Sequence, residues 1–284
     1  MKKLSVIIVS YNNLKLIQEC LDSILEFNDI GNALEVILVE QSPTDEIYET
    51  ISKEYTWVKT VRNTNQGYGG GNNVGCRNAT GEILLFLNPD TVLIEPVFQY
   101  ILSKYEQNPK LGICGVRLLD GEGNFAQSFF WKDSISNVKG LLWRCLDKMD
   151  KFIPAKMYIT GADIFVPKKL FEKAGMFDES IFMYCEETDI CNRVEKLGYD
   201  TRFFPEKRIV HLEGKTTEDN YIKKELLKMK SFLRVAEKNG DDRTRIIKRA
   251  ITAARHRSWI FFFLNKERYA LEKELIQKYE SGEV

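Results

Sequence analysis

The chain is short of the features that most readily announce a function. It has two histidines in 284 residues, and scarcity alone does not make either a ligand, so context must decide. Its six cysteines (Cys20, Cys76, Cys114, Cys145, Cys185 and Cys191) include no C-x-x-C pair and no compact framework, which is how thiols look in a reducing compartment. Net charge is zero, so a polyanionic partner such as nucleic acid is not favoured. There is no internal repeat and no low-complexity segment. Long hydrophobic runs are also missing. In "MKKLSVIIVSYNN" the apolar run ends after four residues, too short for a signal peptide or a membrane span. The longest other apolar run is "WIFFFL", Trp259–Leu264. These absences describe a cytoplasmic protein.

What is present is ordinary globular composition with uneven charge. Residues 1–214 carry 24 Lys/Arg against 30 Asp/Glu, and residues 215–257 carry 13 against 6. That pattern sets a basic C-terminal module on an acidic body. The first half alternates strand and helix. "LSVIIVS" (4–10) and "EVILVE" (35–40) are continuous apolar runs expected of strands buried on both faces. Leu14, Ile17, Leu21 and Ile24 recur at helical spacing behind Asn12 and Asn13. "SPTDE" places Ser42 as an N-cap and Pro43 in the first turn of a second helix. "WVKTVR" (57–62) and "EILLFLN" (82–88) complete four strands. Such alternation predicts an α/β fold with a parallel sheet covered by helices, whose ligands sit at the carboxyl ends of the strands.

Further along, a helix follows Pro96, then a strand "LGICGVRLL", then a hairpin or loop at "DGEGN" (120–124). Residues 125–157, with Trp131 and Trp143, read as irregular, a lid or a wall for a second substrate. "YITGADIFVP" (158–167) reads as a strand interrupted at Gly161. Residues 187–198 form a short helix with Ile190, Val194 and Leu197 on one face and Gly198 as its cap. From about Tyr221 the pattern is helical, with breaks at 239–242 and near Asn265.

Three constellations carry chemistry. "NTNQGYGGGNNVG" (63–75) lacks the G-K-[ST] of a Walker loop and the G-x-G-x-x-G of a dinucleotide fingerprint. It is either a mobile loop or a floor for a phosphorylated ligand, since glycines admit a ligand to the backbone and asparagines offer uncharged donors. "FLNPD" ends the fourth strand, so Asp90 is either a ligand for a hard divalent cation or part of an Asn-Pro-Asp turn. "FMYCEETDICNR" puts Glu186, Glu187 and Asp189 at a helix start, where the positive helix end keeps carboxylates ionised. That suits a general base and equally suits N-terminal capping.

Taken in order, "VIIVSYNN", "VEQSPTD", "NQGYGGGNNVG", "FLNPD", "GADIFVPKKLFEKAGMFDESIFMYCEETDICNRV" and "IVH" resemble a family 2 inverting glycosyltransferase of the GT-A type, in its rhamnosyltransferase-like branch. The resemblance spans roughly residues 4–212. It implies the GT-A fold, a mainly parallel central sheet flanked by helices, with residues 215–284 as a helical extension outside the match. Residues 1–214 would form the catalytic domain, split near 118 into nucleotide-binding and acceptor halves. By resemblance, Ser10, Tyr11 and Asn12 line the nucleotide pocket. Glu40 stands where the family usually has Asp and accepts from the N3–H of uracil or thymine, which implies a UDP- or dTDP-sugar donor. Asn65, Gly67, Asn72, Asn73 and Asn88 surround the donor. Asp90 matches the last acid of the family's D-x-D, with Asn88 replacing the first. Asp90 and His211 would hold a divalent metal, Mg²⁺ or Mn²⁺. The base is the second member of an E-D pair, here Glu187 in Glu186–Glu187, with Asp189 in support. Gly161, Ala162 and Trp131 fall on the acceptor side.

The activity implied is transfer of rhamnose or another hexose to a hydroxyl of a saccharide or lipid-linked acceptor, in surface polysaccharide synthesis. The rival is a sugar-nucleotide-binding or scaffold protein without turnover. A sugar-1-phosphate nucleotidyltransferase is disfavoured because no Gly-rich, Arg/Lys-bearing loop follows the first strand. For the basic module, packing on the catalytic domain or on a partner subunit is preferred over peripheral contact with the inner face of the cell membrane.

Overall fold

The computed structural model describes residues 2–132, 146–212 and 221–284. Its first half follows the sequence pattern closely. Strand β1 (Leu4–Ser10), helix α1 (Leu14–Glu26), β2 (Leu34–Glu40), α2 (Glu46–Glu54), β3 (Lys59–Arg62), α3 (Gly67–Asn78) and β4 (Ile83–Leu87) alternate without interruption. Then come β5 (Thr91–Leu93), α4 (Phe98–Gln107), β6 (Leu111–Leu119), β7 (Phe129–Trp131), β8 (Met157–Ile159), β9 (Asp163–Pro167), α5 (Lys168–Lys173), α6 (Glu186–Lys196) and β10 (Asp200–His211). Three helices close the chain: α7 (Tyr221–Lys238), α8 (Arg243–Leu264) and α9 (Lys266–Glu280).

Eight strands form one sheet in the order β3-β2-β1-β4-β9-β6-β10-β5. Pairings from β3 through β4 are parallel, as is β6 with β10. Strand β9 runs antiparallel between β4 and β6, and β5 runs antiparallel to β10. This register decides where a site can form. Ser10 pairs with Glu40 and Glu40 with Arg62, so three strand ends share one edge. Leu87 pairs with Asp163, which places the entry to β9 at that edge. His211 pairs with Thr91, which brings the far end of β10 beside Asp90.

Apolar side chains pack on both faces of the sheet. Ile17, Leu21, Ile24, Ile51 and Ile101 from α1, α2 and α4 cover one face; Cys76, Phe171, Ile190 and Val194 from α3, α5 and α6 cover the other. Arg117 of β6 is fully buried, donating to Ser128 Oγ at 3.0 Å and Asp147 Oδ1 at 3.1 Å and pairing with Asp150. Breaking a buried pair of this kind costs about 3–5 kcal/mol, so Arg117 fixes the 147–150 segment against the sheet.

Three local expectations change. The Gly/Asn stretch is a helix from Gly67, not a loop. A Cβ at Gly71 would lie 2.7 Å from Val9 Cγ1, and one at Gly75 would lie 2.2 Å from Ile7 Cγ2. Close packing on β1 demands glycine there and overrides its poor helix propensity. Helix α2 starts at Glu46 behind Asp45, not at Ser42–Pro43; the Ser42 hydroxyl accepts from Asn12 N at 2.8 Å and stays in the turn after β2. The stretch 158–167 is two strands in two sheets, since β8 pairs with β7 and β9 enters the main sheet. Within the segment expected to be irregular, Trp131 ends β7 and is half-buried, while Trp143 lies outside the described residues.

Candidate active site

A cavity of about 660 Å³ opens over the ends of β1, β2 and β3, lined by Tyr11, Gln41, Ser42, Pro43, Arg62, Asn63, Thr64 and Asn65. Of the residues expected at the nucleotide, Tyr11 and Asn65 line it. Asn12, with φ 56°, closes the turn above Ser42. Glu40 does not face the cavity. It is fully buried, accepts from the Ser10 hydroxyl through Oε2, and accepts from Ser42 N through Oε1 at 2.5 Å. The extra methylene relative to Asp lets Glu40 fold under the Ser42 turn. Gln41, Arg62, Asn63 and Thr64 were not among the expected residues. The rule that ligands sit at parallel strand ends points to them, because they follow β2 and end or follow β3.

The Gly/Asn helix does something other than floor that cavity. A Cβ at Gly67 (φ +77°) would lie 2.0 Å from Phe182 O, and Tyr68 N donates to that same carbonyl at 3.1 Å. Asn73 accepts from Phe177 N at 3.0 Å and donates to Phe177 O at 2.9 Å. Asn73 is thereby committed to holding the 177–182 loop and does not reach the cavity. Asn72 is buried, donates to Tyr68 O at 3.1 Å, and among the described residues its Oδ1 has no hydrogen-bond partner. Together, Gly67, Tyr68 and Asn73 make α3 the platform for the loop that leads into Glu186 and Glu187.

That loop ends under strain. Tyr184 and Cys185 have φ of 70° and 69°, two successive non-glycine residues in the left-handed region directly before α6. Each such residue costs about 1–3 kcal/mol unless its surroundings impose it. The result aims the first turn of α6 at the sheet edge. Glu187 Oε1 accepts from Gly161 N at 3.1 Å. Gly161 O accepts from the Tyr68 hydroxyl at 2.6 Å, and the next carbonyl, Ala162 O, accepts from Asn88 N at 3.0 Å. Gly161–Ala162 therefore joins α3, α6 and the end of β4 at one point.

The three acids in the first turn of α6 are not equivalent. Glu186 is 3% exposed and its Oε2 has no partner among the described residues; burial first, then the neighbouring Glu187 charge, holds its carboxyl well above the usual range. Burial raises Glu187 too, opposed by hydrogen bonds from its own backbone N–H and from that of Gly161. Asp189 is spent on ion pairs, 2.6 Å to Arg193 Nη2 and 2.8 Å to Lys238 Nζ of α7. Glu187 is half-buried at the edge and is the carboxylate placed to meet another molecule.

Across Gly161–Ala162 lie Asn88, Asp90 and His211. His211 Nε2 is 3.3 Å from Asp90 Oδ1 and 3.4 Å from Asn88 Nδ2, and Asp90 is 4% exposed. Among the described residues no three His, Cys, Asp or Glu side chains gather as a metal-holding group. One carboxylate and one imidazole supply two donors. That set fits a divalent cation that takes its remaining ligands from phosphate oxygens and water.

Comparison with known proteins follows the same outline. Residues 5–164 match the family described as "Glycosyl transferase family 2". The chain is 27% identical over 199 residues to the low-salt glycan biosynthesis hexosyltransferase Agl10 of Haloferax volcanii, covering 68% of this chain and 62% of that protein. It is 26% identical over 232 residues to the O-antigen biosynthesis protein RfbC of Myxococcus xanthus, covering 75% and 17%. The matches thus span less than two-thirds of either relative. Among solved structures it superposes on the mannosyltransferase PcManGT from Pyrobaculum calidifontis, in complex with GDP-Man and Mn²⁺, with TM-score 0.60 and 16% identity over 99% of this chain and 75% of that one. GalNAc-T7 with UDP, GalNAc and Mn²⁺ gives TM-score 0.63 and 17% identity over 83% and 48%. At these identities the structural likeness speaks to the fold, an α/β GT-A fold with C-terminal helices.

Proposed function

Because the chain belongs to glycosyl transferase family 2, we propose that it transfers a hexose, rhamnose among the candidates, from a UDP- or dTDP-sugar to a hydroxyl of a saccharide or lipid-linked acceptor, with inversion, in surface polysaccharide synthesis. Residues 1–214 are the catalytic unit in this reading and 215–284 a module appended to it; the junction lies within 213–220, outside the described residues. The observation that carries the proposal is Glu187, a half-buried carboxylate held on Gly161 N at the edge where β4 and β9 meet.

The chemistry asks little of the protein beyond position and charge. Glu187 takes the proton of the acceptor hydroxyl as its oxygen bonds to the anomeric carbon. The bond from that carbon to the diphosphate breaks on the opposite face, and the nucleoside diphosphate leaves. Asp90 and His211 would hold a divalent cation, Mg²⁺ or Mn²⁺, which when bound offsets the charge of the departing diphosphate. Tyr11 and Asn65 line the space for the nucleoside. The half-buried Trp131 lies on the acceptor side in this reading, and the buried Gly161 and Ala162 serve that side through their backbone, holding Glu187 and Asn88. Glu40 is the acceptor for the base's N3–H, and because the Ser42 turn covers it, that role requires the turn to move when donor binds.

The decisive experiment pairs transfer with donor binding. Glu187→Gln keeps the size of the side chain and removes the base, so turnover falls by about 10²–10⁴-fold while the donor still raises the melting temperature. Near-normal turnover would sink the assignment. Donor binding by the wild type without transfer to any acceptor would instead favour a sugar-nucleotide-binding scaffold. A thermal-shift series of UDP-, dTDP- and GDP-sugars with and without Mn²⁺ tests the donor class, and stabilisation by GDP-sugars alone removes Glu40 from base recognition.

A further inference from the structure

Helix α8 ends in a surface that the rest of the described fold leaves uncovered. Its last turns expose Trp259 at 70%, Ile260 at 46%, Phe262 at 54%, Phe263 at 69% and Leu264 at 75%. The rings form one cluster, with Phe262 to Phe263 at 4.9 Å and Trp259 to Phe263 at 5.8 Å between centroids, and Tyr269 of α9 5.4 Å from Phe262. A contiguous exposed patch of this kind marks an interaction surface. The inward face of the helix is already occupied, since Ile246 and Ala250 pack with Leu233 of α7 and Leu275 of α9.

Charge identifies the partner. Arg245, Lys248, Arg249, Arg255 and His256 are all exposed on the helical face that continues into Trp259 and Phe263. From Arg243 to Leu264 there is no Asp or Glu. At helical rise the arginines and lysine, from Arg245 to Arg255, extend over about 15 Å behind the aromatic tip. The exposed acids of α9 are Glu280, which pairs with Arg255 at 2.7 Å, and Glu267 and Glu274. A second copy docked tip to tip would bring two cationic stripes together, whereas an anionic lipid surface complements both the stripe and the aromatic end. No helix among the described residues is long and apolar enough to cross a membrane.

We propose that the α8 tip is an interfacial anchor for an anionic lipid bilayer. Trp259, Phe262, Phe263 and Leu264 enter the boundary between headgroups and acyl chains, and the cations behind them lie on lipid phosphates. The sequence pattern favours packing for this module; packing accounts for one face of α8 and the bilayer for the other.

Flotation of the full chain with phosphatidylcholine vesicles, with and without a one-third share of phosphatidylglycerol, tests this directly. Binding to the anionic vesicles, weakened by high salt, is expected. Phe262→Ser with Phe263→Ser lowers the partition coefficient about tenfold or more, and Arg245→Glu with Lys248→Glu does the same. Both pairs sit on exposed positions, so circular dichroism and melting temperature stay as in the wild type. Absence of binding to anionic vesicles, equal binding to neutral ones, or double variants that bind like the wild type would each overturn the anchor. So would a dimer seen by sedimentation velocity that Phe263→Ser dissolves while vesicle binding is absent.

Discussion

Gly161 is the residue on which the candidate site turns. A Cβ built there would lie 2.7 Å from Glu187 Oε1, and the atom it meets is the free end of a side chain, which can move at little cost to the fold. Gly161→Ala therefore displaces the carboxylate and loses the 3.1 Å hydrogen bond from its N–H. A misplacement on the order of 1 Å costs about 100-fold in rate. The variant is expected to melt within about 2 °C of wild type, since no core atom is involved, and to lose about two orders of magnitude in kcat. Full activity in Gly161→Ala would mean that Glu187 does its work from another position, or none at all.

At the scale of elements, α7 braces the acid-bearing loop from behind. Lys238 bridges Asp189 at 2.8 Å and Asp178 at 2.9 Å, Arg234 donates to Ser180 Oγ at 3.0 Å, and Ser231 donates to Met183 O at 2.7 Å. These bonds bracket the loop that carries the strained Tyr184 and Cys185. Lys238→Ala leaves the buried Asp189 with Arg193 alone and loosens the loop. Lys238 is a positioning residue, so its loss is expected to lower kcat about fivefold to tenfold with KM little changed, and Lys238→Arg restores most of it. Equal effects on kcat and on melting temperature, with no rescue by Arg, would reduce the bridge to plain structural support.

The elements also show what could be read before the fold was known. The first four strands and α1 were legible because buried parallel strands are continuous apolar runs and α1 keeps helical spacing. Helix α3 was not, because glycine counts as a breaker until the packing on Ile7 and Val9 is seen. The start of helix α2 was not legible, because "SPTDE" carries a good cap at Ser42, and only the tie from Ser42 to Asn12 holds that residue in the turn after β2 and leaves the helix to begin at Glu46. Among the candidate site residues, Glu187, Asp90 and His211 are proposed from motif order. Tyr68 and Arg62 do not, since their roles depend on distant partners, Gly161 and the ends of β2 and β3. Glu40 carried a signal in its substitution for Asp, but its burial could not be read from the residue type.

At the scale of the whole molecule, buried acids set how stability responds to pH. Burial, opposed by the Val116 N–H and by Arg117, raises Asp163 well above its usual range, and burial with the Glu187 charge does the same to Glu186. A carboxyl raised in the fold contributes stability that is complete below its unfolded value and is lost as pH rises through its folded value. Asp178 works in the opposite sense. Burial is outweighed by hydrogen bonds from Ser180 and Lys238, which bring it down to about 2, so its contribution holds above the ordinary Asp value and is lost only as pH falls toward 2. Glu186→Gln removes the cost of ionising a buried carboxyl and is nearly neutral where that carboxyl is already protonated. The stability difference between Glu186→Gln and wild type, from urea unfolding, is therefore expected to be small at pH 4 and to grow in favour of the variant toward pH 8. Each unit of raised pKa is worth about 1.4 kcal/mol, or roughly 2 °C or more in melting temperature for a chain of this size. A difference that stays flat across that range would show that Glu186 ionises as freely in the fold as in the unfolded chain, and the separation of roles between Glu186 and Glu187 would fall with it.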